Sequence, residues 1–274
     1  MTKYLNKNTT VCMSLAARPS NFGTRFHNYL YDALDLDYLY KAFTTKDLAG
    51  AIGGVRALGI RGCAISMPFK EECIPMLDEL DASAKAINSV NTIVNSDGYL
   101  KAYNTDYIAI ATLLKQYQVD PNLTFALRGS GGMAKAVACA LKDAGFNKGY
   151  IIAKNEKTGP ELAGLYGFEW RQEMDDIQAN VLINATPIGM AGGTEADTLS
   201  FSEQQIDNAQ VIFEVVALPA DTPLVKYAKS QNKTVITGSE VFAIQAVEQF
   251  VLYTGVRPED ELFQQAAKYA REGA

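Results

Sequence analysis

Three short polar clusters carry side chains suited to proton transfer. They are Ser66-Met67-Pro68-Phe69-Lys70, Asn88-Ser89-Val90-Asn91-Thr92 and Tyr103-Asn104-Thr105-Asp106. Each lies near the end of an expected strand, and strand ends at one sheet edge can converge on a crevice. A lysine and an aspartate meeting there support each other: Asp106 orients Lys70, and Lys70 favours the ionised form of Asp106. Asn91 and Thr105 offer hydrogen bonds to substrate hydroxyls. Taken singly, each residue reads first as a turn or a helix cap. The chain has one histidine, His27. A Ser-His-Asp triad or a histidine-rich metal site would have to be built around it, so no metal is expected and acid–base work falls to Lys, Asp, Glu or Tyr. His27 sits in an apolar helical segment and reads as structural.

A second chemistry-bearing stretch is Phe125-Ala126-Leu127-Arg128-Gly129-Ser130-Gly131-Gly132-Met133-Ala134. It reads as strand, glycine turn and helix. Gly129 permits the tight turn, Gly131 lets backbone approach a pyrophosphate, and Ala134 lets helix pack against strand. The helix start then presents free N–H groups to phosphate. The next strand ends in Ala153-Lys154-Asn155-Glu156-Lys157. An acidic residue at this place holds the ribose 2′-hydroxyl of NAD. Two lysines suit a 2′-phosphate instead, so NADP is favoured, although Glu156 opposes this and both lysines also read as solvated charges.

The elements that must position these residues alternate. Strands are expected at 10–15, 38–43 and 62–66, with helices at 22–34 and 48–58, the latter stopped by Gly59. Segments 89–94 and 99–103 flank the turn Asn95-Ser96-Asp97-Gly98 and close the first part with an antiparallel edge. A linking helix at 106–117 leads to strands at 124–127, 150–153, 180–184, 211–216 and 234–237, with a helix at 133–144 the clearest. Helices at 240–253 and 258–271 end the chain. The pattern predicts an α/β protein: an N-terminal α/β substrate domain plus a Rossmann-type doubly wound parallel sheet.

The 274 residues suit two modest domains, and the net charge of −6 argues against nucleic acid or an anionic membrane as partner. Cys12, Cys63, Cys73 and Cys139 show no paired spacing and are expected as free buried thiols. No apolar run reaches membrane-spanning length and no signal-peptide pattern opens the chain, so a cytoplasmic enzyme is the base expectation.

Read in order, the motifs resemble those of the shikimate dehydrogenase family over nearly the whole chain. Ser-Met-Pro-Phe-Lys-Glu resembles its Asn-x-Thr-x-Pro-x-Lys strand end, Ser-Val-Asn-Thr its Ala-Val-Asn-Thr segment, and Tyr-Asn-Thr-Asp its Asn-Thr-Asp segment. Gly-Ser-Gly-Gly-Met-Ala is similar to its glycine loop, and Ile-Asn-Ala-Thr-Pro-Ile-Gly-Met to its Asn-Ala-Thr-Pro-x-Gly-Met segment. The resemblance implies a substrate domain at 1–105, an NADP-binding domain at 106–238 and C-terminal helices at 239–274 that return to the first domain. It implies hydride transfer between NADP and a hydroxyl of shikimate, a step in aromatic amino acid biosynthesis. Lys70 and Asp106 would be the catalytic pair. Ser66, Asn91 and Gln245 would bind substrate. Gly129, Ser130, Gly131, Gly132 and Met133 would cradle the pyrophosphate. Ala185, Thr186, Pro187 and Met190 would line the cofactor, with Gly238 near the nicotinamide. A monomer or homodimer is expected.

Departures gather in the binding shell. Asn21 and Gly23 stand where the family has the serines that grip the substrate carboxylate; Ser20, Thr24 or Asn21 itself are the candidate replacements. An unreplaced donor would cost roughly 1.5–3 kcal/mol. Ala64 replaces an asparagine, Ala217 a tyrosine, Lys154 the arginine of the NADP phosphate, and Glu240 a glycine. This resembles the shikimate dehydrogenase-like paralogue group, with low efficiency expected. A quinate-type or NAD-preferring dehydrogenase, or a nucleotide or metabolite sensor without catalysis, stay open as alternatives.

Overall fold

The structure is a computed structural model describing residues 5–272. The chain forms two compact units, Met1–Thr105 with Gln245–Ala274, and Asp106–Ile244.

The first unit runs β1 (Thr10–Leu15), α1 (Phe22–Ala33), β2 (Tyr38–Phe43), α2 (Leu48–Ala57), β3 (Gly62–Ile65), α3 (Phe69–Glu72), β4 (Glu79–Leu80), α4 (Ala82–Ile87), β5 (Thr92–Ser96) and β6 (Tyr99–Tyr103). Its sheet has the order β2-β1-β3-β5-β6-β4. β1 pairs parallel with β2 and β3, the arrangement that helical crossovers require, while β5 runs antiparallel to β3 and β6. Asp97 and Gly98 turn the β5–β6 hairpin at φ of 51° and 88°, the positive values a two-residue loop needs. The sequence places this antiparallel pair at the sheet edge. The structure corrects that, because β4 adds parallel to β6 and becomes the edge. Two residues are too few to show strand periodicity.

Alternation along the strands builds a core on each face. On one, Phe22, Phe26 and Leu30 of α1 meet Cys12, Phe250, Tyr253 and the alanines Ala266, Ala267 and Ala270. On the other, Ile52 and Val55 of α2 cover Leu15, Ile65, Ile93 and Leu100.

The second unit takes in α5 (Thr105–Gln116), β7 (Phe125–Arg128), α6 (Gly132–Asp143), β8 (Gly149–Ile152), α7 (Thr158–Tyr166), β9 (Glu169–Arg171), β10 (Val181–Asn184), α8 (Glu203–Asn208), β11 (Val211–Glu214), α9 (Pro223–Ser230) and β12 (Thr234–Ile236). α10 (Gly238–Thr254) begins in it, and α11 (Asp260–Arg271) belongs with the first unit. The sheet order is β12-β11-β10-β7-β8-β9, with every neighbour parallel. Chain order reverses between β7 and β10, the switch point at which a crevice opens at strand carboxyl ends. β11 stops at Glu214, short of the expected Val216, because its own carboxylate accepts the Val216 N–H at 2.9 Å and draws the backbone out of the ladder. All four cysteines are buried and free. Among the described residues, no helix is long and apolar enough to cross a membrane.

Candidate active site and dinucleotide cradle

In the first unit, the chain leaving β3 turns at Ser66 and enters α3, whose second residue is Lys70. Ser66 is exposed and Lys70 half-buried. Main-chain bonds fix this turn: Ser66 N–H donates to Leu15 O at 2.9 Å and Ile65 N–H to Asn91 O at 2.8 Å. The Lys70 carbonyl accepts the Val90 N–H at 2.9 Å, which ties the lysine's backbone to the entry of β5.

Asn91 and Thr105 do come together. Asn91 Nδ2 donates to Thr105 Oγ1 at 3.0 Å, and Asn91 Oδ1 accepts the Thr105 N–H at 2.8 Å. Thr92 Oγ1 also donates to Asn91 Oδ1, at 2.9 Å. Thr105 is fully buried, and its hydroxyl and N–H both engage the Asn91 side chain. Asp106 follows directly, in the first turn of α5, 8% exposed.

One further residue in this knot escaped the sequence reading. Gln249, buried one helical turn after Gln245, donates from Nε2 to Thr92 Oγ1 at 2.8 Å, and its Oε1 lies 3.3 Å from His27 Nε2. The spacing of Gln245 and Gln249 was its only signal. Gln245 itself is half-buried on α10. His27 is structural: it stacks on Tyr40 at 4.4 Å, and burial pulls its pKa down to about 3.

Asn21 caps α1 by position, exposed and with no side-chain cap bond. At Gly23 a Cβ would stand 3.3 Å from the Tyr40 hydroxyl. That hydroxyl bonds the Ser14 side chain. The space of the absent Gly23 side chain is thus faced by a buried phenol, which sequence spacing gave no means of seeing.

In the second unit, β7 runs into the glycine turn. Gly129 has φ of 122°, and a Cβ there would meet the Ala185 carbonyl at 2.9 Å, so glycine is required by protein packing. Gly131 and Gly132 differ: a Cβ on either would meet nothing. Their bareness leaves the α6 N-terminus open, the cradle that a pyrophosphate fits. Met133 follows within the first turn of α6, and Ser130 Oγ pairs with Thr158 Oγ1 at 2.7 Å.

The loop after β10 is built from its own polar groups. Asn184 Oδ1 accepts from Thr186 N–H at 3.1 Å and from Thr186 Oγ1 at 2.6 Å, while Asn184 Nδ2 donates to Ile188 O and to Glu214 Oε1. Pro187 accepts the Met190 N–H at 3.0 Å, leaving the Met190 side chain exposed. Glu214, fully buried, also accepts from Val216 N–H and Thr222 Oγ1. Burial raises its pKa to about 7 against these donors. An acid ending the apolar run Val-Ile-Phe-Glu was the available sign of this second knot.

Gly238 opens α10 where a Cβ would run into the Val216 backbone, so close packing already explains this glycine without a nicotinamide. Glu240 closes its own helix start: Oε2 accepts from Thr237 N–H and Oγ1, and Oε1 from the Tyr117 hydroxyl at 2.7 Å. Lys154 is exposed after β8. Among the described residues, no group of His, Cys, Asp or Glu is arranged to hold a metal.

A fully parallel sheet whose first strand runs through an open glycine turn into a helix is the doubly wound Rossmann-type architecture, the class in which dinucleotide-binding oxidoreductases are found. Residues 22–93 match the family model of the shikimate dehydrogenase substrate binding domain. A shikimate dehydrogenase-like protein of Haemophilus influenzae is 57% identical over 97% of this chain and 98% of its own. Among solved structures, a shikimate 5-dehydrogenase-like protein superposes with a TM-score of 0.96 at 57% identity, covering 98% of this chain and 100% of its own. A Thermus thermophilus shikimate 5-dehydrogenase in complex with NADP(H) and shikimate gives 0.84 at 25% identity, covering 95% and 99%. The chain belongs to the shikimate dehydrogenase family, in its shikimate dehydrogenase-like group.

Proposed function

We propose that this protein interconverts shikimate, or a close hydroxy-cyclohexene or cyclohexane carboxylate, and its 3-dehydro form, using NADP and with low efficiency. The nicotinamide, when bound, accepts or returns the hydride. Lys70 takes the proton of the reacting hydroxyl and returns it in the reverse direction. Asp106 orients Lys70 and a substrate hydroxyl. Asn91, held rigid by Thr105, fixes the ring, with Ser66 and Gln245 beside it. The observation that carries this reading is the bonding of the Lys70 carbonyl to the strand entry whose next side chain, Asn91, clasps Thr105, the residue before Asp106. The open cradle at Gly131 and Gly132 supports the dinucleotide. Low efficiency follows from the changed shell: Asn21 makes no cap bond, the phenol of Tyr40 faces Gly23, and Ala217 is small.

A second reading, NAD preference, draws on Glu173, which lies 3.8 Å from Lys154 and offsets its charge. Wild-type protein should be assayed with shikimate and quinate, each with NADP and NAD, by nicotinamide absorbance. Turnover should appear with NADP, and Lys70→Ala should lower it about 10²–10⁴-fold while dinucleotide binding persists. Activity confined to NAD would sink the cofactor assignment. No wild-type turnover of any cyclic hydroxy acid would leave a sensor.

A further inference from the structure

We infer that Arg128 is the second cation of a 2′-phosphate site shared with Lys154, and that Glu173 is the carboxylate a bound phosphate displaces. This rests on the dinucleotide reading above and deepens it. Arg128 stands in the strand before the glycine turn without an assigned role, and Glu173 lies outside the motifs.

Arg128 is the last residue of β7, immediately before the glycine turn, and it pairs in register with Ile152, the last residue of β8. Lys154 lies two residues further on. The two cations therefore project from adjacent strand ends at the carboxyl edge of the sheet, where dinucleotides bind. Alternation sends Arg128 to the same face as Ala126. There its guanidinium lies 5.2 Å from the centre of the Phe201 ring, and only 17% of the side chain is exposed.

So enclosed a guanidinium would ordinarily be bound tightly by acceptors. Arg128 is not. Its Nε is buried with no hydrogen-bond partner. One Nη lies 3.7 Å from Glu173 Oε2, and Lys154 Nζ lies 3.8 Å from Glu173 Oε1. Both separations exceed hydrogen-bond length. Glu173 thus sits between the two cations without a hydrogen bond to either, and Glu195 acts on Arg128 from further off. Glu173 is itself 48% exposed and free to swing out. The cations face a cavity of about 610 Å³, also lined by Ile188, by the acids Asp175 and Glu195, and by Ser200, whose buried hydroxyl lacks a partner.

A phosphate monoester matches this set. Its terminal oxygens accept from the guanidinium fork and the ammonium together, and its double charge exceeds that of the Glu173 carboxylate it displaces. A ribose 2′-hydroxyl would instead leave Glu173 in place as its acceptor. Dinucleotide preference is therefore set by the Arg128–Glu173–Lys154 group, not by the loop lysine alone.

The test is calorimetric titration of the full-length protein with adenosine 2′,5′-bisphosphate and with AMP, which differ by the 2′-phosphate. Wild type should bind the bisphosphate at least about tenfold more tightly, the scale of one charge-assisted bond. Arg128→Met should lower that ratio by about tenfold and leave AMP binding unchanged. Lys154→Met should lower it less, being exposed. Glu173→Gln, a surface change that leaves the fold intact, should raise it. An unchanged ratio in Arg128→Met overturns the role of Arg128, and an unchanged ratio in Glu173→Gln overturns displacement. Equal wild-type affinity for the two compounds overturns the inference and the preference for NADP, and leaves the dinucleotide reading standing. Wild-type binding of neither overturns the dinucleotide reading and the inference with it.

Discussion

Each unit keeps a polar knot where its strands end, and the two knots are chemically opposite. In the first, Asn91, Thr92, Thr105 and Gln249 bond one another, all neutral, beside a His27 that burial keeps neutral with a pKa near 3. In the second, the knot gathers round the Glu214 carboxyl, which burial lifts to about 7 while Asn184, Thr222 and Val216 donate to it. A neutral amide knot holds one geometry across a wide pH range. A carboxyl knot changes its inventory near neutrality, because the protonated form carries a hydrogen of its own and accepts fewer bonds.

The sharpest way to break this contrast is to titrate stability. Unfolded His27 binds its proton at about 6.5 and folded His27 only near 3, so its contribution is lost as pH falls through that window. Glu214 runs the other way. Its folded pKa is raised from 4.5 to about 7, so its contribution is full below 4.5 and is lost as pH rises through 7. Each effect reaches up to about tenfold in the folding equilibrium per pH unit. Between 4.5 and 6.5 the two oppose. Urea unfolding in that window should give a profile falling with pH in His27→Leu and one rising with pH in Glu214→Gln. Parallel profiles would erase the distinction.

A smaller effect tests whether the neutral knot is structural. Gln249→Leu leaves Thr92 and His27 without their partner and should cost roughly 1–3 kcal/mol. Faster amide exchange should be confined to the first unit; spread through both, it would show that the knot is not local. The smallest effect belongs outside either knot. Lys154 is 79% exposed and its ion pair is loose, so Lys154→Ala should shift unfolding free energy by less than about 0.5 kcal/mol. A larger loss would mean that the groove is packed like a knot.

Much of this was legible in the chain. The i, i+4 apolar spacing of Phe22, Phe26 and Leu30 marked α1, and Gly129 marked the turn out of β7. The short edge strands β4 and β9 were not legible, since strands of two and three residues hold too little alternation. The clustered motifs pointed to Asn91 and Thr105 but not to the bonds between them, because both are buried and their contact is made only when the entry of β5 meets the start of α5. Gln249, Glu214 and Arg128 were missed because each meets its partner across a long stretch of chain: Glu214 faces Asn184 in register across β10 and β11, Gln249 reaches Thr92 and His27 from α10, and Arg128 reaches Glu173 beyond β9.

The pairing of Gly23 with the Tyr40 hydroxyl has a consequence for descent. Tyr40 is buried, stacked on His27 and bonded to Ser14, so it yields little space. A side chain at position 23 would therefore press on the Tyr40 ring, which must give by a few tenths of an ångström to admit it. Changes at positions 23 and 40 are coupled: a serine returned to position 23 is accepted more easily where position 40 is smaller. Equal stability loss from Gly23→Ser in the wild type and in Tyr40→Phe would contradict a coupling through the phenol oxygen.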